Sequence, residues 1–215
     1  MKRVKITRKT STLLLTVGFV LVIIFAGAIF FKNKKEPQPQ NEPTITYSTD
    51  TPDESKTNAE NYNWKGALDE PKKIKINQIS VDAFIQKAGV DQKNQVAVPN
   101  NVHLAGWYNQ SQKPGQNGLS IIAGHVTGKK SDGVFKQLGV LKAGDIFEIE
   151  LGNGEVKSYK VIETKQVKEA ESAGVLFSQN PKVKSQVNLI TCGGSFNKTT
   201  NQYDDRIIVS GELQV

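Results

Sequence analysis

A thiol, an imidazole and a guanidinium are the side chains of this sequence best suited to covalent chemistry. Cys192, the single cysteine, closes the apolar run Val187-Asn188-Leu189-Ile190-Thr191 and opens the pair Gly193-Gly194. His125 follows a second run, Leu119-Ser120-Ile121-Ile122-Ala123-Gly124, and Arg206 opens a third, Ile207-Ile208-Val209. Each is expected at the end of a strand. Together they offer a nucleophile, a proton shuttle and a cation for a developing oxyanion. A peptide carbonyl is a poor electrophile, and cutting it at neutral pH calls for all three functions. Arginine suits the last because its charge is permanent and its donors are planar. With unperturbed pKa values of about 8.5 and 6.5, thiolate and imidazolium are each roughly 10% populated near pH ~7.5, so the competent pair is about 1% of the molecules. Alone, Cys192 reads as a small buried hydrophobe. The matching contexts of His125 and Arg206 make it a candidate nucleophile.

The elements that must position these groups are strands. Ile74 and Ile76 alternate with polar residues, Val81 to Val90 and Val96-Ala97-Val98 follow, and Leu119 to Ala123 has the near-continuous apolar character of a buried strand. Ile146 to Leu151 meets Glu155 to Val167 across Gly152-Asn153-Gly154, and Asn-Gly is a favoured hairpin turn, so these two are expected to pair antiparallel. Glu169 to Phe177 has helical composition, and Pro181 bars its continuation. Val187 to Thr191 and Arg206 to Leu213 complete about eight strands. A closed or nearly closed all-β barrel with short helices is the economical arrangement.

The stretch Ile190-Thr191-Cys192-Gly193-Gly194, followed by Tyr203 and Arg206-Ile207-Ile208-Val209, resembles the signature of the sortases, cysteine transpeptidases of bacterial surfaces. Gly106-Trp107-Tyr108, Pro114-Gly115, Ile122-Ala123-Gly124-His125 and Gly133-Val134-Phe135 before Leu138, Leu141 and Gly144-Asp145 fit the same pattern, over roughly residues 71 to 215. The Cys-Gly-Gly after the threonine looks most like the branch called class F. The resemblance implies an eight-stranded sortase-type β-barrel. It also implies roles: Cys192 as nucleophile forming an acyl-thioester, His125 as general acid and base, and Arg206 as the oxyanion or substrate-positioning cation. The substrate would be an LPxTG-like sorting signal of a secreted protein, cut between Thr and Gly. An amine of a cell-wall peptide or a protein lysine would accept the acyl group. No cofactor and no metal are expected. The Asp-Pro-aromatic lid motif common in pilin-polymerising sortases does not occur before the barrel, so an accessible cleft is expected.

The charge pattern points to a membrane and away from nucleic acid. Of the net +7, residues 1 to 35 hold Lys2, Arg3, Lys5, Arg8, Lys9, Lys32, Lys34 and Lys35 and no acid, leaving 20 bases against 21 acids, about −1, for the rest. These bases flank Leu13 to Phe31, 19 uncharged residues that as a helix reach about 28 Å, close to a hydrocarbon core of ~30 Å. The excess of bases before the segment favours a cytoplasmic N-terminus and an extracellular catalytic domain on a bacterial cell membrane. A cleaved signal peptide is the rival, because Ala26-Gly27-Ala28 has the small-x-small cleavage pattern. The expected organisation is a basic N-terminus over 1–12, a transmembrane helix over 13–31, a linker over 32–70 and the catalytic barrel over 71–215. Glu36 to about Asn63 is rich in proline and polar residues and is expected not to fold, with Tyr62, Trp64 and Leu68 in a short helix against the barrel.

Other residues carry blander readings. His103 lies in the polar stretch after Pro99-Asn100-Asn101-Val102 and reads as a solvated loop histidine. Asp204 and Asp205 could pair with Arg206 at a turn, which would make it a surface ion-pair partner. Asp132 and Asp145 lack calcium-loop spacing. Two other functions stay open: an extracellular cysteine hydrolase that gives the acyl group to water, and a catalytically silent tethered interaction domain.

Overall fold

The computed structural model describes residues 51–214. Among them no helix is long and apolar enough to cross a membrane, and the expected span Leu13–Phe31 lies outside the described residues. Eight strands form a closed barrel: β1 (Pro71–Ile76), β2 (Val81–Ala88), β3 (Ala105–Tyr108), β4 (Gly118–Gly124), β5 (Ile146–Leu151), β6 (Val156–Lys168), β7 (Ser185–Asn197) and β8 (Gln202–Leu213). Two helices accompany them, α1 (Lys56–Glu60) and α2 (Glu169–Leu176). Around the barrel the order is β1-β2-β3-β4-β7-β8-β6-β5. The pairs β2–β3 and β4–β7 are parallel, and the other neighbours are antiparallel. Closure leaves no open sheet edge to template aggregation.

Residue parity explains which face each side chain takes, because successive side chains of a strand point to opposite faces. Ile74 and Ile76 of β1, Ile122 of β4, Leu189 of β7 and Val209 of β8 are fully buried in the interior. Phe147 stacks on Tyr159 there, ring centroids 5.3 Å apart. The Tyr159 hydroxyl meets the barrel wall by accepting from the Gly115 amide at 2.7 Å. The opposite parity of the same strands builds a second apolar cluster, in which Ile121 of β4, Ile208 of β8 and Leu176 of α2 are buried with Ile190 packed beside them. This outer cluster is the floor beneath the chemistry.

The β5–β6 hairpin pairs antiparallel across Gly152-Asn153-Gly154 as expected, with Gly154 at φ +86° in the left-handed region that the turn requires. Four features differ from the sequence reading. Val96–Val98 is no strand and shares only an isolated bridge between Val96 and Val90; the third strand is Ala105–Tyr108. Proline at 99 ends the first apolar run before it can pair. The strands β7 and β8 run past the apolar residues, so Cys192 and Arg206 lie inside strands and not at their ends. Finally, the helix near the barrel is α1, before Tyr62, and Leu68 is exposed. Residues 53–70, read as part of the linker, are bonded to the barrel. Asp53 pairs with Asn101. Trp64 donates to the Pro71 carbonyl at 3.2 Å.

Candidate active site

The parallel pairing of β4 with β7 brings Ala123 opposite Ile190. His125 and Cys192 each lie two residues further along, on the same outward parity. The antiparallel pairing of β7 with β8 places Cys192 directly opposite Arg206. The three residues singled out by type and context thus converge where β4 ends, with Cys192 and Arg206 inside the neighbouring strands β7 and β8. They line a single cavity of about 440 Å³, together with Thr191, the α2 residues Glu169 and Ala173, and Gln95 from the β2–β3 loop. All three are half-buried. The Thr191 hydroxyl donates to the Gly124 carbonyl at 2.8 Å, tying the residue before Cys192 to the residue before His125.

Local sequence explains why Cys192 sits where strand and loop chemistry meet. The β7–β8 register shifts between Gly193 and Phe196. Gly194 has φ +75°, and a Cβ there would run into the Asp204 and Asp205 carboxylates. A Cβ on Gly193 would meet the Ile207 side chain at 2.8 Å. The pair of glycines therefore lets two acidic residues approach the backbone just past the thiol.

Those acids do not pair with Arg206. Asp205 is buried and takes Lys168 at 2.7 Å and Gln166 at 2.6 Å, while Asp204 accepts from the Ser195 amide at 2.7 Å. The Arg206 guanidinium instead donates through Nη1 to the Tyr203 and Asp205 carbonyls at 3.0 and 2.9 Å. Its Nη2 lies 3.7 Å from Glu169 Oε1. Two backbone bonds fix the head group at the cavity wall, where the Glu169 carboxylate balances part of its charge.

Electrostatics moves the thiol and imidazole apart. Burial pushes the Cys192 thiol above its ordinary value; the Arg206 charge pulls it down and the Glu169 charge pushes it up further. Burial lowers the His125 imidazole, opposed by its bond to the Pro99 carbonyl, Nε2 to oxygen at 2.8 Å. The unperturbed values assumed from sequence therefore overstate the thiolate–imidazolium population of the resting site. Both shifts favour thiol and neutral imidazole in the resting site.

Glu169, Gln95 and the Pro99 carbonyl escaped the sequence reading. Glu169 opens α2, where an acid is already explained by the helix dipole, so its chemistry was hidden behind a structural reason. Its carboxylate accepts from Gln95 Nε2 at 3.0 Å and so links two walls of the cavity. His103 lines a separate, polar cavity of about 420 Å³ with Asp82 and Asp132, and its Nε2 donates to the Glu54 carbonyl at 3.2 Å. It belongs to no part of the Cys192 cavity. Asp132 is engaged by Lys136 at 3.4 Å, and Asp145 accepts from the Lys142 amide at 2.7 Å.

The family model described as Sortase domain matches residues 74–214, about two-thirds of the chain. No curated protein sequence matches. Among solved structures, Group B Streptococcus Pilus Island 1 Sortase C2 aligns at a TM-score of 0.51 and 21% identity, covering 70% of this chain and 77% of that one. A lid mutant of sortase A from Corynebacterium diphtheriae aligns at 0.52 and 21%, covering 71% and 73%. At such identities these likenesses establish the barrel fold.

Proposed function

Because the chain belongs to the sortase family of cysteine transpeptidases, we propose that it cuts an LPxTG-like sorting signal between Thr and Gly and passes the threonyl end to an amine. The observation that carries this reading is the shared cavity of Cys192, His125 and Arg206. Cys192 thiolate adds to the threonine carbonyl carbon, and Arg206 faces the oxygen as it takes up charge. Collapse of the adduct breaks the C–N bond, and His125 as imidazolium gives its proton to the departing glycine amine. An acyl-thioester on Cys192 remains. A neutral amine of a cell-wall peptide or a protein lysine then attacks the thioester carbonyl and yields its proton to His125. A new amide forms and the thiolate leaves. The charge-flanked segment Leu13–Phe31 supports anchoring in the cell membrane with the barrel outside. Cys192-Gly193-Gly194 favours the class F-like branch.

Mass analysis of the chain from Thr51 onward, mixed with a Leu-Pro-x-Thr-Gly peptide and triglycine, tests the reading. The expected product is the peptide joined through threonine to triglycine. Only the hydrolysed peptide would establish water as acceptor, and no cleavage would end the transpeptidase assignment of this substrate. For the anchor, protease added to wall-stripped cells should release a soluble fragment; a protected domain would reverse the topology.

A further inference from the structure

A short strap before the barrel, residues 53–55, is stitched to both loops that hold His125. On one side, the Asp53 amide donates to the Asn100 carbonyl at 2.8 Å, and the Val102 amide donates to the Asp53 carbonyl at 2.9 Å. Asn101 Nδ2 donates to the Ser55 carbonyl at 3.0 Å. This loop carries Pro99, whose carbonyl receives His125 Nε2. On the other side, the Glu54 carboxylate accepts from the amides of Lys129, Lys130 and Ser131 and from the Ser131 hydroxyl, each at 2.8 Å. These donors form the tip of the loop that leaves His125. Its base closes onto the histidine backbone, with the Phe135 amide donating to the His125 carbonyl at 3.0 Å and the Gly133 amide donating to Val126 at 3.1 Å. A Cβ on Gly133 would collide with the His125 carbonyl, so loop and histidine are in direct contact.

We propose that Glu54 is a positioning residue for His125, holding the loop after the imidazole in register with the loop whose carbonyl receives its ring. The inference rests on the acid–base reading of His125. Convergent donation, first from the Lys130 amide and the Ser131 hydroxyl, holds the Glu54 carboxyl at about 2, so the grip persists through the working pH range. A carboxylate in a concave set of backbone amides is a strong, directional lock. Gly128 completes the fit, since a Cβ there would press on the Glu54 carboxyl carbon at 2.6 Å. The strap lies on the surface and fills no core, so releasing it opens the loop locally and leaves the barrel interior intact. Proton transfer is less forgiving, because small displacements of a positioned group cost large factors in rate.

The test compares Glu54→Ala, Glu54→Gln and His125→Ala in the full chain by steady-state acyl transfer, urea melts and the NMR signal of the His125 Nε2 proton. Glu54→Ala is expected to lower kcat roughly 10-fold or more with KM within about twofold. The urea midpoint should fall only modestly, since the barrel interior is untouched, and the ring proton, sheltered by Pro99 in the native chain, should exchange faster with water. Glu54→Gln, which keeps one carbonyl acceptor, should fall between, and it carries the test by the same readouts if the alanine variant does not fold. A kcat within twofold of native in the glutamate variants would overturn the proposal. So would a loss of rate with an unchanged ring-proton signal, since the defect would then not reach His125. If His125→Ala itself turns over normally, the acid–base reading fails; if it is inactive while the Glu54 variants are normal, this proposal alone fails.

Discussion

The two faces of strands β4, β7 and β8 answer to different demands. Inward, Ile122, Leu189 and Val209 are fully buried in an apolar cluster with the Phe147 and Tyr159 rings. Outward, one residue along, Ala123, Ile190 and Ile208 give a shallower apolar surface that ends in His125, Cys192 and Arg206. The interior is closed and chemically silent. The outer face is half-covered by α2 and collects the titratable groups. Stability and reactivity are therefore separated by single steps along one backbone, and substitutions of alternate residues should fall on one property and spare the other.

The sharpest division is expected at Cys192. Cys192→Ala should leave no thioester detectable by mass while the urea midpoint stays close to native, since the side chain lies outside the core; normal turnover by the alanine variant would erase the division and the assignment of Cys192. Next is Arg206→Ala, which under the proposed mechanism removes one oxyanion donor and should cost ~3 kcal/mol, or 100-fold and more in rate, with little loss of stability. Arg206→Lys should recover part of this, as it restores charge without the planar fork. A near-normal rate in the alanine variant would remove Arg206 from the site. Leu189→Ala should behave oppositely, costing ~2–5 kcal/mol in a urea melt. If the still-folded fraction of that variant were catalytically dead, the two faces would be coupled more tightly than parity implies.

Smaller effects refine the outer face. The rate of Cys192 alkylation by iodoacetamide should rise with pH through a midpoint above the ordinary thiol value, because burial disfavours the thiolate. Glu169→Gln removes a repelling anion and should move that midpoint down, whereas Arg206→Ala removes an attracting cation and should move it up. Unchanged midpoints in both would show that neither charge is felt at the sulfur. The acyl-transfer profile should be bell-shaped, since thiolate is lost at low pH and imidazolium at high pH.

Much of this division was legible in the sequence where a residue's type and its neighbours agreed. The apolar runs announced β4 and β7, and Asn153-Gly154 announced the β5–β6 hairpin. The meeting of Cys192, His125 and Arg206 in one cavity was legible because each stands in a matching strand context, which outweighed the separate structural reading of each alone. The continuation of β7 through Gly193 and Gly194 was not, since glycine in a strand reads as a break and only the carboxylates of Asp204 and Asp205 reveal its purpose. The strand Ala105–Tyr108 was too short to show a period. Glu54 was hidden for another reason: in a proline-rich polar stretch nothing local predicts that one carboxylate will find a cradle of amides at Lys129 to Ser131, 75 residues and more away.

α2 is attached to the barrel at both ends. Its C-terminal end is anchored to the barrel by buried side chains of β7: Asn188 Nδ2 donates to the Leu176 carbonyl at 2.8 Å, and Gln186 Nε2 donates to the Ser178 carbonyl at 3.1 Å. Its N-terminal end continues without a linker from β6, whose last residue, Lys168, pairs with Asp205 of β8, and Glu169 adds contacts to Gln95 and Arg206. A segment tied down at both ends opens less readily than a free terminus or an unanchored loop. Amide exchange should accordingly be slow at Phe177 and Ser178, whose amides donate to the Ala173 and Val175 carbonyls. α2 thus bridges the wall of the thiol cavity, with one abutment at Lys168 and the other at Asn188.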